Sequence, residues 1–122
     1  EPSADDRLSA KTENAVLEFL RAGPELSVDA LVRLYAPDLT LPAFSLLVSR
    51  WAHDLMRSAL GLEPRYFIDE NAAIERLAAH TDAKRAAGFC TQALSCRRAA
   101  DHTLNPKQAV ESMLLRYKQI FQ

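Results

Sequence analysis

Apolar residues recur along most of this chain at steps of three and four, with polar residues between them. That spacing predicts amphipathic helices, and no stretch shows the alternation of apolar and polar residues that is typical of a half-buried strand. Proline or glycine interrupts the pattern where helices should end, as at Pro37 and Gly61. The pattern predicts six helices, at about residues 4–21, 27–35, 41–60, 69–79, 82–100 and 105–121.

Short polar residues stand where most of these helices should begin. The side chains of Ser, Thr, Asp and Asn accept hydrogen bonds from the free N–H groups of a first helical turn. Pro106 is predicted at the first position of the last helix, where its missing N–H costs no hydrogen bond. The predicted capping residues are Ser27, Thr40, Asp69, Thr81 or Asp82, and Asn105.

The third predicted helix is the longest and the most apolar. Leu46, Met56 and Leu60 lie off its main stripe, and a helix that is apolar on more than one side usually lies between two layers or two subunits. We predict that the core-facing stripe consists of Phe44, Leu47, Val48, Trp51, Leu55 and Ala59.

The last predicted helix also has an apolar side. A chain terminus usually frays unless it packs against something. That side is therefore predicted to be covered, either within this chain or by another one. Its residues are Val110, Met113, Leu114, Tyr117, Ile120 and Phe121.

The composition agrees with a helical bundle. Of the 122 residues, 48% are hydrophobic and 25% are charged, as in an ordinary globular domain. Only three glycines are present, and alanine and leucine are common while β-branched residues are sparse, which favours helices over sheets. We predict an all-α, single-domain bundle of five to six helices.

The charge is small overall but uneven. Residues 1–63 carry ten acidic and six basic side chains, a balance of −4, whereas residues 64–122 carry six acidic and nine basic ones, a balance of +3. Neither half has the basic stripe that is typical of a nucleic-acid-binding domain. No apolar run approaches the roughly 18 residues that span a bilayer, and the N-terminus does not resemble a signal peptide, so we expect a cytoplasmic location.

The sequence contains no recognisable motif for catalysis or for binding a cofactor or metal. A glycine-rich phosphate loop, HExxH and CxxC are all missing. His53, His80 and His102 lie on three different segments, so a metal site would have to be assembled in space from His53, His80 and an acid. Cys90 and Cys96 should lie about 9 Å apart along one helix, too far for a disulfide. We predict a domain that is not an enzyme and holds no cofactor or metal.

Two polar groups are candidates for contacts. Arg50, Asp54 and Arg57 share one side of the third helix, which predicts an exposed helix face supported by salt bridges, with an intersubunit salt bridge as the alternative. The tripeptide "RYF" at residues 65–67 follows that helix in an irregular link. It either makes a protein-contact patch, since Tyr and Arg are enriched at interface hot spots, or plugs the end of the bundle.

Three segments in this order resemble a known family. They are "RWAHDLM" at residues 50–56, "LGLEPRYFIDENAAIERLA" at 60–78 and "RRAADHTLNPKQAVESMLL" at 97–115. Together they are similar to the C-terminal domain of the delta-prime subunit of bacterial DNA polymerase III, over about residues 40–118. The equivalent domains of the gamma and tau subunits also have a last helix led by Asn-Pro, and the "EPRYF" link favours delta-prime.

The resemblance implies that this chain is the helical collar domain of a clamp-loader subunit. In that family the collars hold five subunits in a ring, which opens the sliding clamp and places it on primed DNA. The implied partners are the collar domains of the gamma or tau and delta subunits. This domain would contact DNA only indirectly, through the assembled complex, and no membrane or small-molecule partner is implied.

Such a domain is one part of a longer chain. The stretch "EPSADD" begins without an initiator methionine, and we expect the 122 residues to be a fragment. The ATPase-like N-terminal module of the family, its zinc site and the nucleotidyltransferase activity of the parent polymerase would then lie outside them.

We expect subunit contacts on the less buried side of the third helix, on the link and on the last helix. Asn105 and Pro106 are assigned to helix capping. The alternatives are a helical regulatory domain that binds a small ligand between its helices and homodimerises, and the equivalent domain of gamma or tau. The candidate contact residues are Met56, Arg57, Leu60, Arg65, Tyr66, Phe67, Arg116, Tyr117 and Phe121.

Overall fold

The computed structural model describes residues 8–34, 38–102 and 105–122. Within these ranges the chain forms six α-helices and no strand, which confirms the all-α, single-domain bundle. Short 3-10 turns lie at Gly23–Glu25, Ile68–Glu70 and Ala100–His102. The helices are α1 (Ala10–Arg21), α2 (Val28–Val32), α3 (Leu41–Ala59), α4 (Asn71–Ala78), α5 (Ala83–Arg98) and α6 (Pro106–Gln119).

Four of the predicted caps are confirmed. Each side-chain oxygen accepts a hydrogen bond from the backbone N–H three residues further on, which satisfies one of the free donors of the first turn. Pro106 occupies the first position of α6, as predicted. The capping residues and their distances are Ser27 (3.3 Å), Thr40 (3.3 Å), Asp82 (2.8 Å) and Asn105 (3.1 Å).

The start of α1 differs from the prediction. The helix begins at Ala10 because Ser9 caps it, and residues 4–7 lie outside the described ranges. Asp38 holds this end in place, since one carboxylate oxygen accepts from the Ser9 N–H at 2.8 Å and the other from the Thr12 hydroxyl at 2.7 Å. These bonds favour the ionised carboxylate and hold the pKa of Asp38 below its ordinary value.

The predicted ends of two other helices lie too far along the chain. The α2 helix ends at Val32, and the predicted stop near Tyr35 and Pro37 falls outside the described ranges. The α5 helix ends at Arg98, where the chain turns towards the 3-10 segment Ala100–His102. Helix ends commonly close with such a tighter turn.

The α3 helix is the centre of the bundle, with α5 packed along it and α4 and α6 against other parts of its surface. Ala59, in its last turn, is exposed, so the predicted stripe ends one turn early. Leu46 and Met56 are half-buried off the stripe and Leu60 is exposed. The buried stripe residues are Phe44, Leu47, Val48, Trp51 and Leu55.

Small residues bring α5 close to α3. Ala86 and Ala93 are fully buried in this contact, and the half-buried Cys90 lies near enough for its thiol to donate a hydrogen bond of 3.3 Å to the Ser49 carbonyl. Burial raises the pKa of the Cys90 thiol because the thiolate would lose its hydration. Cys90 and Cys96 are both half-buried and free.

The last helix packs inside this chain. Its side chains contact α2, α3, α5 and the 3-10 turn at Gly23–Glu25. Val110 and Phe121 are half-buried at the margin of the core. The buried residues are Met113, Leu114, Tyr117 and Ile120.

Candidate subunit-contact site

The link between α3 and α4 begins with a well-defined helix end. The Gly61 N–H donates to the Ser58 carbonyl at 2.9 Å, and the Leu62 N–H donates to the Arg57 carbonyl at 2.8 Å. This pair of bonds is a Schellman motif, which needs a left-handed residue, and Gly61 supplies it with φ +81°. The Arg57 guanidinium Nε also donates to the Glu63 carbonyl at 2.7 Å. The first residues of the link are therefore tied back onto α3.

A buried carboxylate holds the middle of the link. Asp54 has no exposed surface, and its oxygens accept from three successive backbone N–H groups: Arg65 at 2.8 Å, Tyr66 at 3.0 Å and Phe67 at 2.8 Å. Consecutive N–H groups that point at one anion form a concave binding site for it. Asp54 therefore fixes the path of the link as it leaves α3.

The role of Asp54 corrects the prediction for that side of α3. Arg50, Asp54 and Arg57 do not form a salt-bridged, exposed face, and Asp54 is not available for an intersubunit salt bridge. One signal in the sequence could have indicated this. Asp54 follows Trp51 by three residues and precedes Leu55 on the buried side of the helix, where an unpaired carboxylate would be costly.

Asp69 does not cap α4, contrary to the prediction. The 3-10 turn Ile68–Glu70 precedes the helix, Glu70 takes the capping position, and no side chain makes a capping hydrogen bond there. Instead, Glu70 pairs with Arg21 of α1 through two bonds of 2.6 and 2.9 Å. The guanidinium holds the pKa of Glu70 below its ordinary value. The end of the link is thus anchored to α1.

The "RYF" tripeptide is divided between the core and the surface. Phe67 is half-buried and packs edge-on against Trp51, with 5.4 Å between ring centroids, so it plugs this end of the core. Tyr66 points outwards. The Arg50 and Arg65 guanidinium carbons lie 5.1 and 5.5 Å from its ring centroid, and His53 meets it edge-on at 5.6 Å.

Most of the large exposed apolar side chains belong to this link. Among the described residues, Leu60 is 60% exposed, Leu62 49%, Tyr66 43% and Ile68 69%. Leu115, on α6, is the fifth, at 53%. A concentration of exposed apolar side chains in one segment is typical of an interaction surface. We call residues 60–68 the link surface.

The structure brings together only some of the predicted contact residues. Arg57 hydrogen-bonds to the link backbone at Glu63, whereas Met56 packs against the core. Arg116 is exposed and lines a separate cleft between α5 and α6. Phe121 packs edge-on against Tyr117, with 5.2 Å between centroids. Tyr117 has no exposed surface, so it belongs to the core and not to a contact surface.

The described residues hold no constellation of metal ligands, since no three His, Cys, Asp or Glu side chains within them converge. His53 packs on Tyr66, and His80 and His102 are exposed. Within the same ranges, no helix is both long enough and apolar enough to cross a bilayer.

The chain matches no protein-family model, no curated protein and no solved structure.

Proposed function

We propose that this domain is a non-catalytic oligomerisation domain of the clamp-loader type. It would act as the collar of a delta-prime subunit and hold that subunit in the pentameric ring that loads the sliding clamp during DNA replication. Its partners would be the collar domains of the gamma or tau and delta subunits, in the cytoplasm. The "EPRYF" link favours delta-prime over the equivalent domain of gamma or tau.

The link surface is the observation that carries this proposal. Four large apolar side chains are exposed on one short segment, although the bundle has a buried core of its own. The segment is held by Asp54 at its centre and by the Glu70–Arg21 pair at its end. A surface that is ordered before binding loses less conformational entropy when a partner docks.

The packing of the resembling segments also supports the proposal. Trp51 and Asp54 come from the first segment, and Phe67 and the rest of the link come from the second. Trp51 contacts Phe67, and it belongs to the same core cluster as Met113 and Leu114 of the third segment.

A ring of unlike subunits requires two different surfaces on each member. The link surface is one candidate. The predicted contact residues Arg116 and Phe121 belong to α6 and the segment after it, and they would serve the second surface. The excess of acidic residues in the first half of the chain and of basic ones in the second would steer such head-to-tail contacts.

Native mass spectrometry tests the proposal directly. The 122-residue chain is measured alone and then with the gamma and delta subunits of the same organism. We expect a monomer that enters a stoichiometric complex with them. A stable homodimer that ignores these subunits would contradict the proposal and favour the regulatory domain.

A pair of variants tests the link surface. Leu60→Ser combined with Ile68→Ser removes two exposed apolar side chains and should abolish binding to one neighbour. The control is Leu115→Ser, which removes an exposed leucine from α6 and should retain that same neighbour. Equal behaviour of the two variants would show that the link surface has no special part in assembly.

A further inference from the structure

Tyr66, on the link surface, has two arginines close to its ring. The guanidinium carbons of Arg50, from α3, and of Arg65, from the link, are 5.1 and 5.5 Å from the centre of its ring, within the range of a cation–π contact. His53 approaches the ring edge-on. We call these four residues the Tyr66 cluster.

Neither arginine of the cluster has a carboxylate partner among the described residues. The described residues do form other ion pairs, such as Arg21 with Glu70 and Arg85 with Asp82. Asp54, which follows Arg50 by four residues on α3, is buried and its oxygens accept from backbone N–H groups. A guanidinium over an aromatic ring keeps its N–H donors, which match the geometry of a carboxylate or a phosphate.

The position of the cluster is set before any partner binds. The N–H groups of Arg65 and Tyr66 both donate to Asp54, so the backbone that carries these side chains is fixed to α3. Arg50 is on α3 itself. The backbone that carries the two cations is therefore held in place, and less backbone freedom remains to be lost on binding.

The surroundings distinguish between the two anions. A cleft of about 400 Å³ beside Tyr66 is lined by Glu13, Asp69 and Glu70 as well as by the apolar Ile68. A nucleic-acid backbone carries a phosphate at every step and would be repelled by these acids. A protein segment can place a single carboxylate on the arginines and apolar side chains beside Ile68.

We propose that the Tyr66 cluster binds a carboxylate side chain of an otherwise apolar segment on the neighbouring subunit of the ring. This inference rests on the proposed function, because the neighbour is another collar domain. Arg50 and Arg65 would form the ionic part of that contact. The exposed apolar side chains of the link surface would form its apolar part.

Charge reversal tests the inference. Arg50→Glu and Arg65→Glu should each weaken association with the neighbouring subunit about tenfold, measured as the Kd by isothermal titration calorimetry. The matched control is Arg33→Glu, which makes the same charge change at an exposed position after α2. Urea unfolding of each variant alone establishes that the fold is retained, since neither arginine of the cluster is part of the buried core.

The salt dependence gives a second readout. The affinity of the unmodified chain should fall as ionic strength rises, because exposed charges are screened. The double variant Arg50→Ala and Arg65→Ala should show a flatter dependence, whereas Arg33→Ala should keep that of the unmodified chain.

The outcomes separate this inference from the proposed function. If the unmodified chain binds neither gamma nor delta, the proposed function fails and the inference fails with it. If it binds and both reversals match Arg33→Glu, the inference alone is overturned. Binding of a fluorescein-labelled oligothymidine that is lost in both reversals would identify phosphate as the anion and overturn the carboxylate assignment.

Discussion

The indole Nε1–H of Trp51 donates a hydrogen bond of 2.9 Å to the phenol oxygen of Tyr117, which lies 66 residues further along the chain. The Tyr117 hydroxyl in turn donates to the Leu20 carbonyl at 2.6 Å, so three helices meet at one oxygen. Neither ring has any exposed surface. Burial raises the pKa of Tyr117 because a phenolate would lose its hydration there, and the hydroxyl remains a donor.

Removal of that hydroxyl should destabilise the domain. Tyr117→Phe leaves the Trp51 N–H without an acceptor and the Leu20 carbonyl without its side-chain donor, at a cost of about 1–3 kcal/mol in the free energy of unfolding. Urea denaturation measures the change. Tyr66→Phe is the control, because its exposed hydroxyl should be worth less than about 0.5 kcal/mol. Equal effects would mean that the buried hydroxyl contributes no net stability.

Asp54→Ala should loosen the link. The substitution leaves the N–H groups of Arg65, Tyr66 and Phe67 without their acceptor, and we expect a loss of about 3 kcal/mol or more. Amide hydrogen exchange at residues 65–67 should become faster. Asp69→Ala removes an exposed aspartate from the same link and should cost less than about 1 kcal/mol. Unchanged exchange at residues 65–67 in Asp54→Ala would contradict the role given to Asp54.

The domain should lose stability in acid through two carboxylates. Hydrogen bonds from Arg21 lower the pKa of Glu70 below its ordinary 4.5, and those from Ser9 and Thr12 lower that of Asp38 below 3.8. A lowered folded-state pKa means that the unfolded chain takes up protons first as the pH falls. The stabilisation is therefore complete above these ordinary values and is lost as the pH falls through the folded-state pKa of each group.

Thermal unfolding between about pH 6 and pH 3 measures this effect. Glu70→Gln and Asp38→Asn should each reduce the fall in Tm over that interval. Glu111→Gln, on the exposed side of α6, corrects for the loss of one negative charge. A fall in Tm that is the same in both variants as in the unmodified chain would exclude these carboxylates as its source.

Two glycines with positive φ should differ in their tolerance of alanine. Gly23 has φ +59° and Gly61 has φ +81°, so either substitution strains the backbone by roughly 1 kcal/mol. At Gly61 no atom lies near the added methyl, whereas at Gly23 it collides with Cδ2 of the buried Leu77. Gly23→Ala should therefore cost about 1–3 kcal/mol more than Gly61→Ala in urea denaturation. Equal costs would mean that the Leu77 side chain moves aside freely.

Asn105→Ala should affect stability and not assembly. The Asn105 side chain accepts from the Gln108 N–H at the start of α6, and loss of such a cap costs about 1 kcal/mol. Native mass spectrometry with gamma and delta should show the same complex as for the unmodified chain. Loss of the complex at unchanged stability would assign Asn105 to the interface instead.

Local patterns in the sequence predicted most of the fold. Four caps are confirmed. They were predictable because each bond joins a side chain to an N–H only three residues away, so its geometry depends on neighbouring residues alone. The buried stripe of α3 was predictable as well, since its spacing follows the helical repeat.

Long-range partners account for what the sequence did not reveal. Asp54 looked like part of an exposed helix face, yet the N–H groups that donate to it lie 11 to 13 residues further on, in a link whose path no local rule predicts. The same link enters α4 through a 3-10 turn, and Asp69 makes no capping hydrogen bond there.

The sequence by itself determined where helices form, how most of them begin and which sides are apolar, because those depend on residues within one or two turns. Only the tertiary structure decided that Tyr117 belongs to the core and that Tyr66 is exposed beside two arginines. Both outcomes depend on contacts between α3 and segments that are distant in the sequence. The burial and hydrogen bonding of each tyrosine in these contacts decide whether it is buried or exposed, and the residue type alone does not.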